Sequence, residues 1–147
     1  MKSFLTLIVV LVCLSTFAQT EVQQVEKLKA DAAAEVEKFA VLGQQINDML
    51  FCFSELGFQE YETFNYLTSL LEKQGFKVQK GVAGVPTAWI AIWGNGKPVI
   101  ALGSDVDCIL KVSQKPGVAY SDPIVVNAPG HGEGHNSGQA LNIISAL

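Results

Sequence analysis

Apolar and polar residues along this chain follow a period of three to four, then a period of two, and finally none. From Glu21 to Phe53, the apolar residues Val22, Val25, Leu28, Ala32, Val36, Phe39, Ile46, Met49, Leu50 and Phe53 recur at spacings of three and four, while Glu and Lys fill the opposite face. This predicts one long amphipathic helix or two joined ones, with Gly43 as the weak point. Ser54 to Gln59 breaks the period and reads as a connecting loop. A second amphipathic helix is expected from Glu60 to Gln74, with Tyr61, Phe64, Leu67, Leu70 and Leu71 on one side and Gly75 as its stop. Phe76 to Gln79 alternates as a short strand. Thr87 to Trp93 and Pro98 to Leu102 are β-rich runs joined by Gly94-Asn95-Gly96-Lys97, a hairpin signal. Asp105 to Tyr120 has no period and gains Gly and Pro. Ser137 to Leu147 reads as a helix with Leu141, Ile144, Ala140 and Leu147 facing inward. The order helix, helix, strand, strand, strand, loop, helix defines an α/β chain.

The chain opens with Met1-Lys2-Ser3, a nearly unbroken apolar run from Phe4 to Leu14, and Thr16-Phe17-Ala18 before Gln19. A positive start, an apolar stretch and small residues at the −3 and −1 sites predict a secretory signal peptide over residues 1–18, and so an exported, periplasmic or extracellular protein. A membrane anchor is the alternative, but Phe4 to Ala18 is shorter than the roughly 20 residues a span needs. Lipid attachment at Cys13 is disfavoured by the bulky Val12 before it.

Composition narrows the function. Of 147 residues, 49% are apolar and 16% charged, which excludes a disordered tail. The ten basic residues are all lysine against fourteen acids, net −4, so no basic face for nucleic acid can be assembled. Metal ions and small molecules remain as partners. Beyond the leader, Cys52 and Cys108 could pair, although nothing in the sequence fixes their separation; in its apolar helical stretch Cys52 reads as a buried free thiol.

The densest polar cluster is Gly130-His131-Gly132-Glu133-Gly134-His135-Asn136, which holds both histidines of the chain, four residues apart, with a carboxylate midway. Three alternating glycines leave the backbone free to fold around an ion. Imidazole and carboxylate suit Zn, Mn or Co. In a strand-like loop, alternation would let His131, Glu133 and His135 converge; the alternative is a Gly-rich helix entry with surface histidines. Asp105 and Asp107 follow the apolar run Val99 to Leu102, at the strand end where α/β sheets bind ligands. A loop-capping role is the other reading for either one. Competing motifs fail: no Gly-Lys-Ser/Thr completes a phosphate loop, Ser137 stands where a dinucleotide fingerprint needs glycine, and there is no H-E-x-x-H. Nothing local activates Cys108 as a nucleophile.

These residues together resemble a family. Ser54-Glu-Leu-Gly-Phe-Gln-Glu-Tyr-Glu-Thr63 resembles the segment after the first helix of the M-twenty metallopeptidases, which include aminoacylases and amidohydrolases that cut N-acyl amino acids. Gly75-Phe-Lys-Val78 and Gly84-Val-Pro-Thr-Ala88 are similar to the strands that follow there. Ser113-Gln-Lys-Pro-Gly117 and Ala128-Pro-Gly-His-Gly-Glu-Gly-His-Asn136 resemble the aminobenzoyl-glutamate hydrolase branch.

The resemblance implies an α/β/α sandwich with a site for two divalent metal ions (Zn, Mn or Co), and a dimerisation domain inserted further along. On that basis residues 19–147 are the N-terminal portion of the catalytic domain, and the full-length protein is a homodimer acting on an N-acyl amino acid or dipeptide. The family's metal-binding cysteine and histidine fall on Glu133 and His135, with His131, Asp105 and Asp107 as further candidates, either as ligands or behind the ligands. Glu in place of Cys tilts the preference toward Mn or Co. Asp107 matches the acid two residues after a family metal histidine, whose own position is Asp105 here, and Leu110 replaces the proline that usually closes that segment. The implied activity is metal-dependent amide hydrolysis, with a general-base glutamate and further ligands expected beyond residue 147, so that the chain alone is expected to be inactive. The alternative is a non-catalytic metal- or small-molecule-binding remnant of the same fold.

Overall fold

The computed structural model describes residues 21–147; the predicted signal peptide lies outside them. The chain divides into two units, Met1–Ala40 and Val41–Leu147. In the first unit, residues 21–38 form helix α1. It is exposed along nearly its whole length, and Val22, Val25, Leu28 and Val36 all face solvent. Its polar face carries the spaced pairs Lys27–Asp31 and Lys29–Glu26 at 3.7 and 2.8 Å. Exposed pairs of this kind add about 0.3–0.5 kcal/mol each.

Helix α2 is Ala40–Phe53. The predicted long helix is therefore two, and the break falls at Phe39, not Gly43. The Phe39 N–H turns back to the Val36 carbonyl at 2.9 Å, a tightened i→i+3 closure. Gly43 lies inside α2 where the helix approaches α4: a Cβ there would sit 3.4 Å from Ile144 Cγ1.

Helix α3 (Tyr61–Lys73) and helix α4 (His135–Ala146) complete the helical part of the second unit. The core joins Ile46 and Leu50 of α2, Leu67 and Leu71 of α3, and Ala140 and Ile143 of α4, pairs three or four apart that share a face on each helix. The buried face of α3 is Thr63, Leu67, Thr68 and Leu71; Tyr61, expected inward, is exposed. The Thr68 hydroxyl tolerates burial by donating to the Phe64 carbonyl at 2.7 Å. On α4 the buried residues are Asn136, Gln139, Ala140 and Ile143, while Leu141 is 67% exposed, contrary to expectation. The face is turned because Asn136 donates to Asn47 Oδ1 on α2 at 2.9 Å, fixing which side of α4 meets the core. Cys52 is free as expected but exposed, not buried: it lies two residues, about 200° of helix, beyond buried Leu50. Cys108 is also free, and buried.

Strands β1 (Lys77–Lys80) and β2 (Trp89–Ile92) pair antiparallel, with Val78 opposite Ala91 and Lys80 opposite Trp89. Val78, Ala91 and Trp89 lie against the helical core, and their neighbours Gln79 and Ile90 face out. The connection passes through left-handed Gly81 and a short 3-10 turn, Val82–Gly84. Thr87 then donates to the buried carboxylate of Glu60 at 2.7 Å, tying the turn to the start of α3. The hairpin expected at Gly94–Lys97 does not form. Pro98 has no N–H to give a ladder at its first position, and Val99 and Ile100 are 83% and 82% exposed. The fold thus mixes helices with one small sheet, and no wider layered sheet is formed among the described residues. None of the described helices is long and apolar enough to cross a membrane.

Candidate functional site

Three irregular segments are stitched together at the end of α2. Ser54 takes a positive φ of 48° and closes that helix, its hydroxyl donating to the Phe51 carbonyl at 2.6 Å. Glu55 then reaches forward. Its two carboxylate oxygens accept from the N–H groups of Glu62 and Thr63, both at 2.8 Å, capping the otherwise unpaired first turn of α3. Its own carbonyl accepts from Cys108 N–H at 2.8 Å. Leu56 and Cys108 form a parallel bridge, and Ile109 and Gly130 an antiparallel one with both hydrogen bonds at 3.0 Å. The residues after Asp107 are therefore held on one side by the α2–α3 loop and on the other by the start of the histidine loop.

Gly130 has no room for a side chain. A Cβ would lie 2.5 Å from the Val112 carbonyl oxygen and 2.8 Å from its carbon. Gly132 N–H bonds back to Gly130 O at 3.1 Å, and Gly134 sits at φ 90° as the residue before α4. These bends destroy the strand-like alternation, so His131, Glu133 and His135 do not converge. His131 points to the end of α2, where its Nε2 lies 3.0 Å from the Leu50 carbonyl oxygen. A carbonyl only accepts, so Nε2 carries the hydrogen and Nδ1 a bare lone pair; Nδ1 is buried without a partner. Burial, and to a smaller degree the neighbouring His135, hold the His131 imidazole below its usual range, partly offset by the Leu50 bond, Glu133 and Asp107.

His135 points the other way. Its Nδ1 lies 3.1 Å from Asp107 Oδ1 and 3.1 Å from the Asp107 main-chain oxygen, so Nδ1–H donates and Nε2 is left with a free lone pair. Both groups are partly exposed, with 26% and 41% of the side-chain surface accessible. Glu133, between the two imidazoles, is exposed. Asp105 is also exposed, and only its carbonyl is engaged, by the Ser104 hydroxyl at 3.1 Å. Cys108, beneath the pair, has its thiol pushed up to about 12 by burial and then by Glu133, with a smaller opposing contribution from Ser54. It is held as a thiol and is no nucleophile at neutral pH.

Of the sequence-predicted residues, then, Asp107 and His135 are in direct hydrogen-bond contact, Glu133 and His131 lie near enough to act electrostatically around them, and Asp105 is exposed. Among the described residues no three His, Cys, Asp or Glu groups gather closely enough to hold an ion between them. What does fit a metal is the state of His135: one nitrogen fixed by a carboxylate and a carbonyl, the other open, which is how metal-binding imidazoles are held. Sequence reasoning missed Glu55, whose signal was an acid seven residues before its partner, and the Leu50 carbonyl, which no side-chain pattern can announce.

The chain has a relative among characterised proteins, a subunit of a hydrolase. It is 40% identical over 91 residues to one of the subunits of the p-aminobenzoyl-glutamate hydrolase of Escherichia coli (strain K12), a match covering 62% of this chain and 19% of that protein. The aligned part thus spans about a fifth of the relative's length. No family model matches the chain, and no solved structure does.

Proposed function

We propose that this chain forms part of an exported, metal-dependent amidohydrolase and contributes His135 and Glu133 to the site of a divalent ion, with Asp107 behind His135. The observation that carries the reading is the Asp107–His135 pair, which fixes the imidazole's tautomer and leaves Nε2 open. The 40% identity to a component of a hydrolase named for an acyl-glutamate supports the same class, an amide joining an acyl group to an amino acid, with p-aminobenzoyl-glutamate as the first substrate to try. A bound Zn, Mn or Co ion, two of them in the full site, would supply an acidified water and polarise the amide carbonyl. In the reaction water adds across the C–N bond, the acyl carbon gaining hydroxyl and the nitrogen a proton. The chain's own part is to hold His135 Nε2 open through Asp107 and to present Glu133 to solvent as a second anionic donor. Asp105 and His131 take no ligand role here. The complete protein acts as a homodimer in this reading.

A second reading is a non-catalytic domain that binds a metal ion or small molecule through the Asp107–His135 pair. Calorimetric titration of the 147-residue chain with Mn²⁺ tests the metal site. His135→Ala should weaken binding at least tenfold and Glu133→Ala should weaken it as well; equal affinity in both variants and the wild type would remove the ligand assignment. The chain alone should leave p-aminobenzoyl-glutamate intact, and metal-dependent release of glutamate from it would show a complete site.

A further inference from the structure

We infer that His131 is a positioning residue that anchors the glycine-rich loop to the end of α2 and thereby sets where Glu133 and His135 stand. The inference rests on the metal-site reading for its consequence, but the anchor itself stands on geometry. Loop residues 130–134 include three glycines, the type with the most backbone freedom to lose, so a loop of this composition needs fixing from outside. It is fixed at three points. Gly130 exchanges two main-chain bonds with Ile109, His135 is gripped by Asp107, and His131 donates to Leu50. Between those ends the other hydrogen bonds of the loop are local ones, Gly132 N–H to Gly130 O at 3.1 Å and Ser137 Oγ to Gly134 O at 2.8 Å, so His131 supplies its link to α2.

The choice of anchor is physically apt. Leu50 is 0% exposed and belongs to the core, so its carbonyl cannot shift to follow the loop. It lies in the last turn of α2 and accepts both the Ser54 N–H at 3.2 Å, the i+4 bond that closes the helix, and the N–H of the His131 ring. The direction of the ring also sets His131 apart from His135: Nε2 is committed to Leu50 and Nδ1 is buried without a hydrogen-bond partner. Two imidazoles four residues apart are thus held in opposite ways. One faces inward to lock the loop, and the other faces outward with a nitrogen to offer. Preorganising a ligand-bearing loop in this manner removes ordering cost at the moment of binding.

Three measurements on the full chain decide it. In the metal-free wild type, long-range ¹H–¹⁵N correlations of the His131 ring should show hydrogen on Nε2 only; hydrogen on Nδ1 overturns the inference. Backbone ¹⁵N relaxation should show Gly132, Glu133 and Gly134 ordered in wild type and mobile in His131→Leu. His131→Gln, whose amide N–H can reach the same carbonyl, should restore order. An ordered loop in His131→Leu, or no rescue by Gln, also overturns it. With Co²⁺ as probe, His131→Leu should lower affinity about 10–100-fold while the visible absorption spectrum of the saturated site keeps its shape, because the donors are unchanged. A changed spectrum would make His131 a ligand and defeat the inference. Should wild type bind no Co²⁺, the metal reading fails and the first two measurements still decide the anchor. Should the Leu variant not fold, the wild-type ring spectrum and the Gln variant decide.

Discussion

At the scale of single residues, the site is shaped as much by where side chains are forbidden as by where they act. Gly130 lies against the main chain of Val112 and Ser113, at 2.5 to 3.0 Å from a would-be Cβ, and neither can yield. Gly132 meets the flexible tip of Ile109 at 3.0 Å, a contact that can give way. Gly130→Ala is therefore expected to cost about 1–3 kcal/mol in urea denaturation and Gly132→Ala clearly less; equal costs would mean the loop relaxes freely. The two cysteines divide in the same local way. Exposed Cys52 should react with iodoacetamide at about pH 8 while Cys108, with its thiol at about 12, is spared until the chain unfolds, a contrast that peptide mapping reads directly. The histidine cluster was legible in the sequence because its composition is so unusual. Its geometry was not, since whether residues two apart share a side depends on bends that Gly134 and the Gly130–Gly132 contact impose on the backbone.

At the scale of elements, periodicity located the helices and turned Ile46, Leu50, Leu67, Leu71 and Ala140 inward as found, but it misplaced Tyr61 and Leu141, which are exposed. Leu141 is as apolar as Ile143, and the Asn136–Asn47 bond is a polar contact that favours the rotation of α4 with Ile143 inward. Polar partners on another helix are invisible to a pattern of apolar residues. The hairpin was misplaced for a related reason: Gly94–Lys97 carries the stronger turn residues, but Pro98 cannot donate, and the ladder formed across Gly81 and its 3-10 turn instead. The same elements give two stability predictions. Glu55→Ala removes the acceptor for two N–H groups at the start of α3 and should cost about 1 kcal/mol. Thr87→Val leaves the Glu60 carboxylate, 9% exposed, without its hydroxyl donor and should cost about 1–3 kcal/mol by the same denaturation measurement. A Thr87→Ser variant that keeps the hydroxyl should recover most of that loss.

At the scale of the molecule, a run of apolar surface stands uncovered. Val99, Ile100 and Leu102 are 83%, 82% and 49% exposed, and Ile90, Ile92 and Trp93 of the neighbouring β-rich stretch are exposed as well. Surface of this kind binds hydrophobic dyes and promotes self-association. Ile100→Lys should lower dye fluorescence and concentration-dependent sedimentation without lowering the denaturation midpoint; unchanged association would place the sticky surface elsewhere. The two bonds that frame the histidine loop belong to this scale too, because they join residues far apart along the chain. Leu50 meets His131 across 81 positions and Asn47 meets Asn136 across 89. The cost of closing a loop rises with its length, and nearby pairings such as β1 with β2 are made first. The loop that carries the candidate ligands is therefore expected to close after the local pairings of the framework it grips. By the same reasoning it is among the first parts to open, so amide exchange should reach Gly132 to Gly134 long before it reaches Leu67 or Leu71.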